Sequence, residues 1–328
     1  MCLGMYPAAG VTSTRALPSA AGRCRALPDV ASNTGRVGTI LPPTMKGVIV
    51  AAGYGTRFLP VTKTVPKEML PLIDTPSIEF IAQEFIDSGI TSILIITSRR
   101  KRALEDYFDR EVELESVFER EGATAKLEKI RPHAAAITFV RQTEMRGTGH
   151  ALLAAKDFAA GEPVVVAYPD DLHFGEPPLA AQLIERWRET GASVLATLHD
   201  PPELHRYGVL DLDADGLHVR DIVEKPAPGT EPSREASIGR YLYTPEFFDY
   251  LESGWVSHLA AGEAGEYYHV GALKALMGDG QVVFSRVRGE RIDTGAPAGY
   301  LRAIMRYAGA TPEYREVLRS ELERLQGG

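Results

Sequence analysis

Residues 48–71 read VIVAAGYGTRFLPVTKTVPKEMLP, a β-branched run that passes directly into a loop holding two glycines, one arginine and two lysines. The apolar start predicts a buried strand. Gly53 and Gly55, placed directly after it, let the backbone turn tightly and aim N–H groups at an anion, as phosphate-binding loops do. No G-K-[ST] ending follows, which excludes a P-loop, and the third position of a G-x-G-x-x-G pattern is Phe58. Asp74 lies about 20 residues on, where a dinucleotide-binding fold wants an acid. Yet Pro60, Pro66, Pro71 and Pro76 occupy the intervening stretch, and no crossover helix can form through them. What remains is an extended loop carrying Arg57, Lys63 and Lys67, opposed only by Glu68.

Working outward, short β-branched runs at 47–52, 92–97, 136–141, 163–168 and 193–198 alternate with helical patterns. That alternation predicts an α/β fold, a Rossmann-like mixed and mostly parallel sheet with flanking helices. Ile78, Ile81, Ala82 and Phe85 recur on one helical face, and the helix should stop at Gly89. Beyond residue 200 the pattern becomes hairpin-like, with Asp213 to Gly216 turning between YGVLDL and LHVRDIVEKP. Two helices, near 297–308 and 312–325, close the chain. The expected organisation is a leader (1–44), a main domain (45–310) and a C-terminal helix (311–328).

The bulk composition suits a globular body: 44% of residues are hydrophobic and 24% charged, enough to bury a full core. No apolar run is long enough to predict a membrane span. Residues 1–44 carry Arg15, Arg23, Arg25 and Arg36 against one acid, Asp29, so the rest is more acidic than the overall charge of −8. Such an Arg-rich, acid-poor leader is read as a disordered tail, as translated sequence ahead of a start at Met45, or as a transit peptide. Both cysteines, Cys2 and Cys24, fall within it, so the body has no disulfide and no thiol chemistry, which suits a reducing, cytoplasmic setting. An acidic body argues against nucleic acid as a partner. The histidines show no paired ligand spacing for zinc, and no Ser-His-Asp, G-x-S-x-G or H-E-x-x-H arrangement is found.

The stretch AAGYGTRFLPVTKTVPKEMLPLIDTPSIEF, together with SRRKRALEDYFDREVELE, FVRQTEMRGTGHALLAAKDF, VVAYPDD, RYGVLDLD, VEKP, IGRYLYTPEFFDYLE and RIDTGAPAGYLRA, resembles the sugar-1-phosphate nucleotidylyltransferases over nearly all of 46–308. Within that family the wording is most similar to the members that use UTP and glucose 1-phosphate. The resemblance implies transfer of a uridylyl group with magnesium as cofactor, with thymidylyl or cytidylyl transfer as the alternative. It also implies a homodimer or homotetramer. Chemistry of this kind needs no acid or base, because the attacking phosphate is already ionised; it needs two crowded anions oriented and neutralised.

Residue by residue, the resemblance implies that Ala52, Gly53, Gly55 and Thr56 hold the nucleotide's phosphates. It places Arg57 on the departing β and γ groups and Lys67 at the α-phosphate. Gln142 and Gly147 would face the base, the amide donating and accepting together to one edge, which suits uracil and thymine equally. Asp170, at the end of an apolar run, and the distant Asp293 would hold the metal, oxygen ligands being what magnesium takes; Asp171 is a weaker match because the family varies there. On the sugar side the match gives Gly208, Glu224, Lys225 and Tyr241. Glu224 and Lys225 are adjacent in an expected strand, so their side chains should take opposite faces. His150 matches a position near the nucleotide loop. One departure stands out: where these enzymes usually read G-E-x-Q-L-T-D, this chain has AGEYYHVGALKAL, keeping Glu266 but substituting Tyr268, His269 and Val270.

Overall fold

The opening run forms the strand Lys46–Val50, with Ser92–Thr97 parallel on one side and Val164–Ala167 parallel on the other. These elements belong to a computed structural model that describes residues 45–326. The expectations for the leader fall on residues outside that range. Ala136–Arg141 extends the sheet beyond Ser92–Thr97, again parallel. Beyond Val164–Ala167 lies the antiparallel strand Glu235–Tyr243, which also pairs with Ser193–His199 and Gly208–Leu212. Val282–Arg286 runs parallel to Ser193–His199, and the expected hairpin, Gly208–Leu212 with Val219–Glu224, forms one edge of the nine-stranded sheet.

The apolar strands are buried on both faces, and their alternation builds two separate cores. Ile49, Ile93, Ile95 and Val165 point to one side, against helices Ser77–Asp87, Leu179–Thr190 and Pro297–Ala310. Val48, Leu94, Ile96, Val164 and Val166 point to the other, against Gly147–Leu153, Glu246–Ala260 and Val270–Gly278. Strand ends differ from the sequence expectation by a residue or two, and the last helix spans Pro312–Gln326. No helix among the described residues is long and apolar enough to cross a membrane.

Between the first strand and the first long helix the prolines have the expected effect. The chain makes three 3-10 turns, Thr56–Phe58, Val61–Lys63 and Lys67–Met69, and regular α-helix begins only at Ser77, after Pro76. A second, small pairing matters for the site: Asp171–Phe174 runs antiparallel to Glu290–Asp293, setting Asp171 opposite Asp293.

A buried ion pair ties the layers together. Arg240 has no solvent exposure and its Nη2 donates to Glu84 Oε2 at 3.0 Å and to Asp171 O at 2.9 Å, while the Ala180 N–H donates to Glu84 Oε1 at 2.9 Å. Burial pushes the Glu84 carboxyl up, against the pull of the Arg240 guanidinium. Losing one partner of a buried pair leaves the other charge uncompensated. Arg240→Met is therefore expected to lower stability by about 3–5 kcal/mol in urea unfolding; a loss below about 1 kcal/mol would mean the pair is not needed to dock these layers.

Candidate functional site

The loop and the sheet meet at Lys67. Its Nζ donates to Asp170 Oδ2 at 2.5 Å, joining the P-K-E-M turn to the carboxyl end of the central strand Val164–Ala167. Gly55 stands over this lysine, so close that a Cβ there would lie 3.2 Å from Lys67 Cβ, and Thr62 Oγ1 fixes the turn by donating to Gly55 O at 2.7 Å. The two halves of the opening stretch thus fold onto one spot. Ala52 is buried beneath them, while Gly53, Thr56 and Arg57 are exposed. Burial opposes charge on Asp170, but Lys67 and, further off, Arg57 outweigh it and hold the carboxyl below its usual value of 3.8. A carboxylate of this kind lends stability above that value and loses it only as the pH falls through the lowered one, so Asp170 stays ionised at neutral pH.

Glu68, next to Lys67, faces inward. Its Oε1 meets Lys101 Nζ at 2.6 Å, both side chains are buried, and Lys101 also donates to Ala51 O at 2.5 Å. Burial pushes Glu68 up and Lys101 down, each opposed by the charge of the other. The turn that carries Lys67 is thereby anchored to the end of the first strand.

Asp293 arrives through the small antiparallel pairing. The Thr294 N–H and Oγ1 donate to Asp170 O at 2.7 and 3.0 Å, and the Gly295 N–H donates to Asp293 Oδ1 at 2.8 Å. Arg57 Nη1 donates to Gly295 O at 3.3 Å. A Cβ on Gly295 would sit 2.9 Å from Asp170 Oδ2, 2.9 Å from Asp293 Oδ1 and 3.2 Å from Arg57 Nη1. Two carboxylates and a guanidinium therefore crowd one glycine, and a Cβ there would push their ends aside. The Asp170 and Asp293 side chains keep 26% and 54% of their surface exposed, so both remain open to a ligand.

Asp170 and Asp293 fit a divalent ion in donor type, since hard cations take oxygen ligands. Among the described residues no group of three or more His, Cys, Asp or Glu is placed to hold a metal, so phosphate oxygens would have to complete the shell. Asp171 is differently used: Arg291 Nε donates to its Oδ1 at 2.6 Å and the Gly239 N–H to its Oδ2 at 2.9 Å. Its acceptors are spent on the fold.

The expectation that the Gln142 amide donates and accepts together is narrowed by its contacts. Gln142 Nε2 donates to Gly147 O at 3.1 Å and lies 3.1 Å from His150 Nδ1, so the amide nitrogen is already committed and only the carbonyl oxygen is left to meet a ligand. The sugar-side expectation also changes. The strand ends at Glu224, and Lys225 turns away with φ of 46°, its N–H bonded to Tyr207 O at 3.0 Å, so strand alternation does not decide where the two side chains point. Both are exposed. Gly208 pairs opposite Glu224, whose Oε1 would lie 2.8 Å from a Cβ on that glycine. Tyr241 is partly buried, stacked 5.4 Å from Tyr243 and edge-on to His269 at 5.4 Å. His269, from the altered segment, is buried and lies 2.9 Å from Thr148 Oγ1; burial lowers its pKa to about 4.

A family profile described as Nucleotidyl transferase matches residues 46–309. The chain belongs to that family. It is 41% identical over 286 residues to a UTP–glucose-1-phosphate uridylyltransferase of Staphylococcus epidermidis, covering 85% of this chain and 98% of that one. It is 42% identical over 269 residues to UTP–glucose-1-phosphate uridylyltransferase 2 of Staphylococcus saprophyticus, covering 80% and 91%. Among solved structures it resembles a UTP-bound UGPase from Acinetobacter baumannii (TM-score 0.76, 29% identity, 86% of this chain and 99% of that one). A UDP-glucose pyrophosphorylase complexed with UDP-glucose matches with TM-score 0.68 and 32% identity over 81% and 99%. Fold and family thus agree with the resemblance of the motifs.

Sequence reasoning missed Lys101, Arg291, Thr294 and Gly295. Only the D-T-G triplet gave a signal, an aspartate two residues before a glycine being a common turn. Gly295→Ala is expected to spread the two carboxylates and lower turnover with nucleotide and sugar phosphate by about a hundredfold, since displacements near 1 Å cost that much. The melting temperature should move little, and unchanged turnover would show that the crowding at Gly295 has no role in the reaction.

Proposed function

We propose that the protein transfers the uridylyl group of UTP to α-D-glucose 1-phosphate, releasing pyrophosphate and UDP-glucose, with magnesium as the divalent ion. The observation that carries this reading is the convergence of Arg57, Asp170 and Asp293 around Gly295, with Lys67 bonded to Asp170 beside the glycine loop. The named relatives, at 41–42% identity, support the substrates.

A phosphate oxygen of the sugar phosphate attacks the α-phosphorus; the bond from that phosphorus to the β-bridging oxygen breaks, and pyrophosphate leaves with the electron pair. No general base is required. Lys67 has three N–H donors, of which Asp170 takes one, leaving two for the α-phosphoryl oxygens as charge builds there. Arg57 reaches the β and γ phosphates, and the loop from Ala52 to Thr56 supplies backbone donors. Asp170 and Asp293 would hold the magnesium, which supplies positive charge to the phosphoryl oxygens. Lys225 takes the sugar's phosphate, with Gly208, Glu224 and Tyr241 bordering the sugar. A left-handed backbone at a residue with a side chain is costly, and its presence at Lys225 fits a functional placement.

The test is pyrophosphate release with magnesium, glucose 1-phosphate and, separately, UTP, dTTP, CTP, ATP and GTP. UTP should be strongly preferred; a preference for dTTP or CTP would move the protein to the thymidylyl or cytidylyl reaction, and silence throughout would remove glucose 1-phosphate as the acceptor. Lys67→Ala is expected to lower kcat by about 10²–10³-fold, whereas Lys225→Ala should mainly raise KM for the sugar phosphate. The opposite pattern would exchange their roles.

A further inference from the structure

His150 faces the residue assigned to the base. The geometry fixes the chemistry between them without reference to any ligand. Gly147 O can only accept, so the end of the Gln142 side chain 3.1 Å away from it must be the NH2 group. That same nitrogen lies 3.1 Å from His150 Nδ1, which must then be the bare, accepting nitrogen of a neutral ring. We propose that His150 is a positioning residue for base choice: it pins the Gln142 amide with its carbonyl oxygen free, so that the site admits a pyrimidine that donates from N3 and rejects one that accepts there. This rests on the reading that places the nucleotide's base at Gln142.

Uracil and thymine carry N3–H and can donate to Gln142 Oε1. Cytosine presents a bare N3, and two acceptors would face each other. To receive cytosine the amide must rotate, which sets its oxygen against Gly147 O, acceptor against acceptor, and requires the His150 ring to move its proton to Nδ1. The histidine itself has little freedom. Its ring packs on Trp255 at 5.0 Å, and Trp255 packs on Tyr267 and on His258, each at 5.5 Å. The Arg146 guanidinium lies 5.7 Å over Trp255, and the Tyr267 backbone clamps the loop by donating to Arg146 O at 2.7 Å and accepting from the Gly149 N–H at 2.9 Å. Burial, with a smaller push from Arg146 and against the pull of Glu144, lowers the His150 pKa and keeps the ring neutral. Tyr267 stands at the variable position of the G-E-x-Q-L-T-D segment, directly before the substituted Tyr268, His269 and Val270.

The experiment is calorimetric titration of the full chain, with magnesium, by UTP, dTTP and CTP, in the wild type, His150→Leu and His150→Asn. Leucine removes the acceptor; asparagine restores a carbonyl near the place of Nδ1. In His150→Leu the preference for UTP over CTP should fall by about tenfold, the worth of one such hydrogen bond, while the ratio of UTP to dTTP stays at its wild-type value. His150→Asn should recover the UTP-to-CTP preference. If leucine prevents folding, His150→Ala carries the same comparison. The proposal is overturned if the wild type binds CTP as tightly as UTP, if the UTP-to-CTP ratio survives loss of the acceptor, or if both ratios collapse together and asparagine fails to rescue. A chain that prefers UTP but makes no UDP-glucose would defeat the proposed reaction and leave this inference standing.

Discussion

The ion pair between Lys67 and Asp170 joins residues 103 positions apart, and the rest of the site is arranged around it. One partner sits in a stretch whose prolines limit it to short 3-10 turns; the other lies just past the end of an apolar strand at the centre of the sheet. A loop of that length would not by itself hold a side chain in register. It is anchored from below, where Glu68 turns inward to the buried Lys101 and Lys101 reaches back to Ala51 O. Adjacent residues thus do opposite work: Lys67 is open to the cleft, Glu68 is locked beneath it. A buried charge pair is a poor route to stability but a good way to fix one geometry.

The same division recurs at the next strand end. Asp170 stays open to the cleft while Asp171 is bound by Arg291 and the Gly239 N–H. Arg291 in turn belongs to the strand that delivers Asp293, so the structural aspartate holds the strand that brings the second open carboxylate to the first. Behind both, Arg240 joins Asp171 O to Glu84 and thereby to the helices of one face. Asp293 is thus positioned through the Arg291–Asp171 pair, and Lys67 through the buried Glu68–Lys101 pair.

The strands, the interrupted loop and the closing helices were legible because buried strands and proline breaks leave marks in the order of residues. Gly53, Gly55, Lys67, Asp170 and Asp293 were legible through motifs, and the fold brings Lys67, Asp170 and Asp293 together. Glu84 and Arg240 were not: in the helical pattern Glu84 is one more polar position, and nothing local says that a strand buries its partner 156 residues later. The strand pattern runs on through Lys225 in the sequence, because a left-handed turn by a lysine has no sequence signature. The commitment of the Gln142 amide leaves no mark in the sequence because it depends on where Gly147 O comes to lie, next to the clamp from Tyr267.

The most direct measurement is diffraction from crystals grown with UTP and manganese, recorded where manganese scatters anomalously. The account predicts one anomalous peak within ligand distance of both Asp170 and Asp293, with the triphosphate along the glycine loop, Lys67 beside the α-phosphate and the Gln142 carbonyl facing N3 of uracil. A peak elsewhere, or a nucleotide bound away from Gly295, would contradict it.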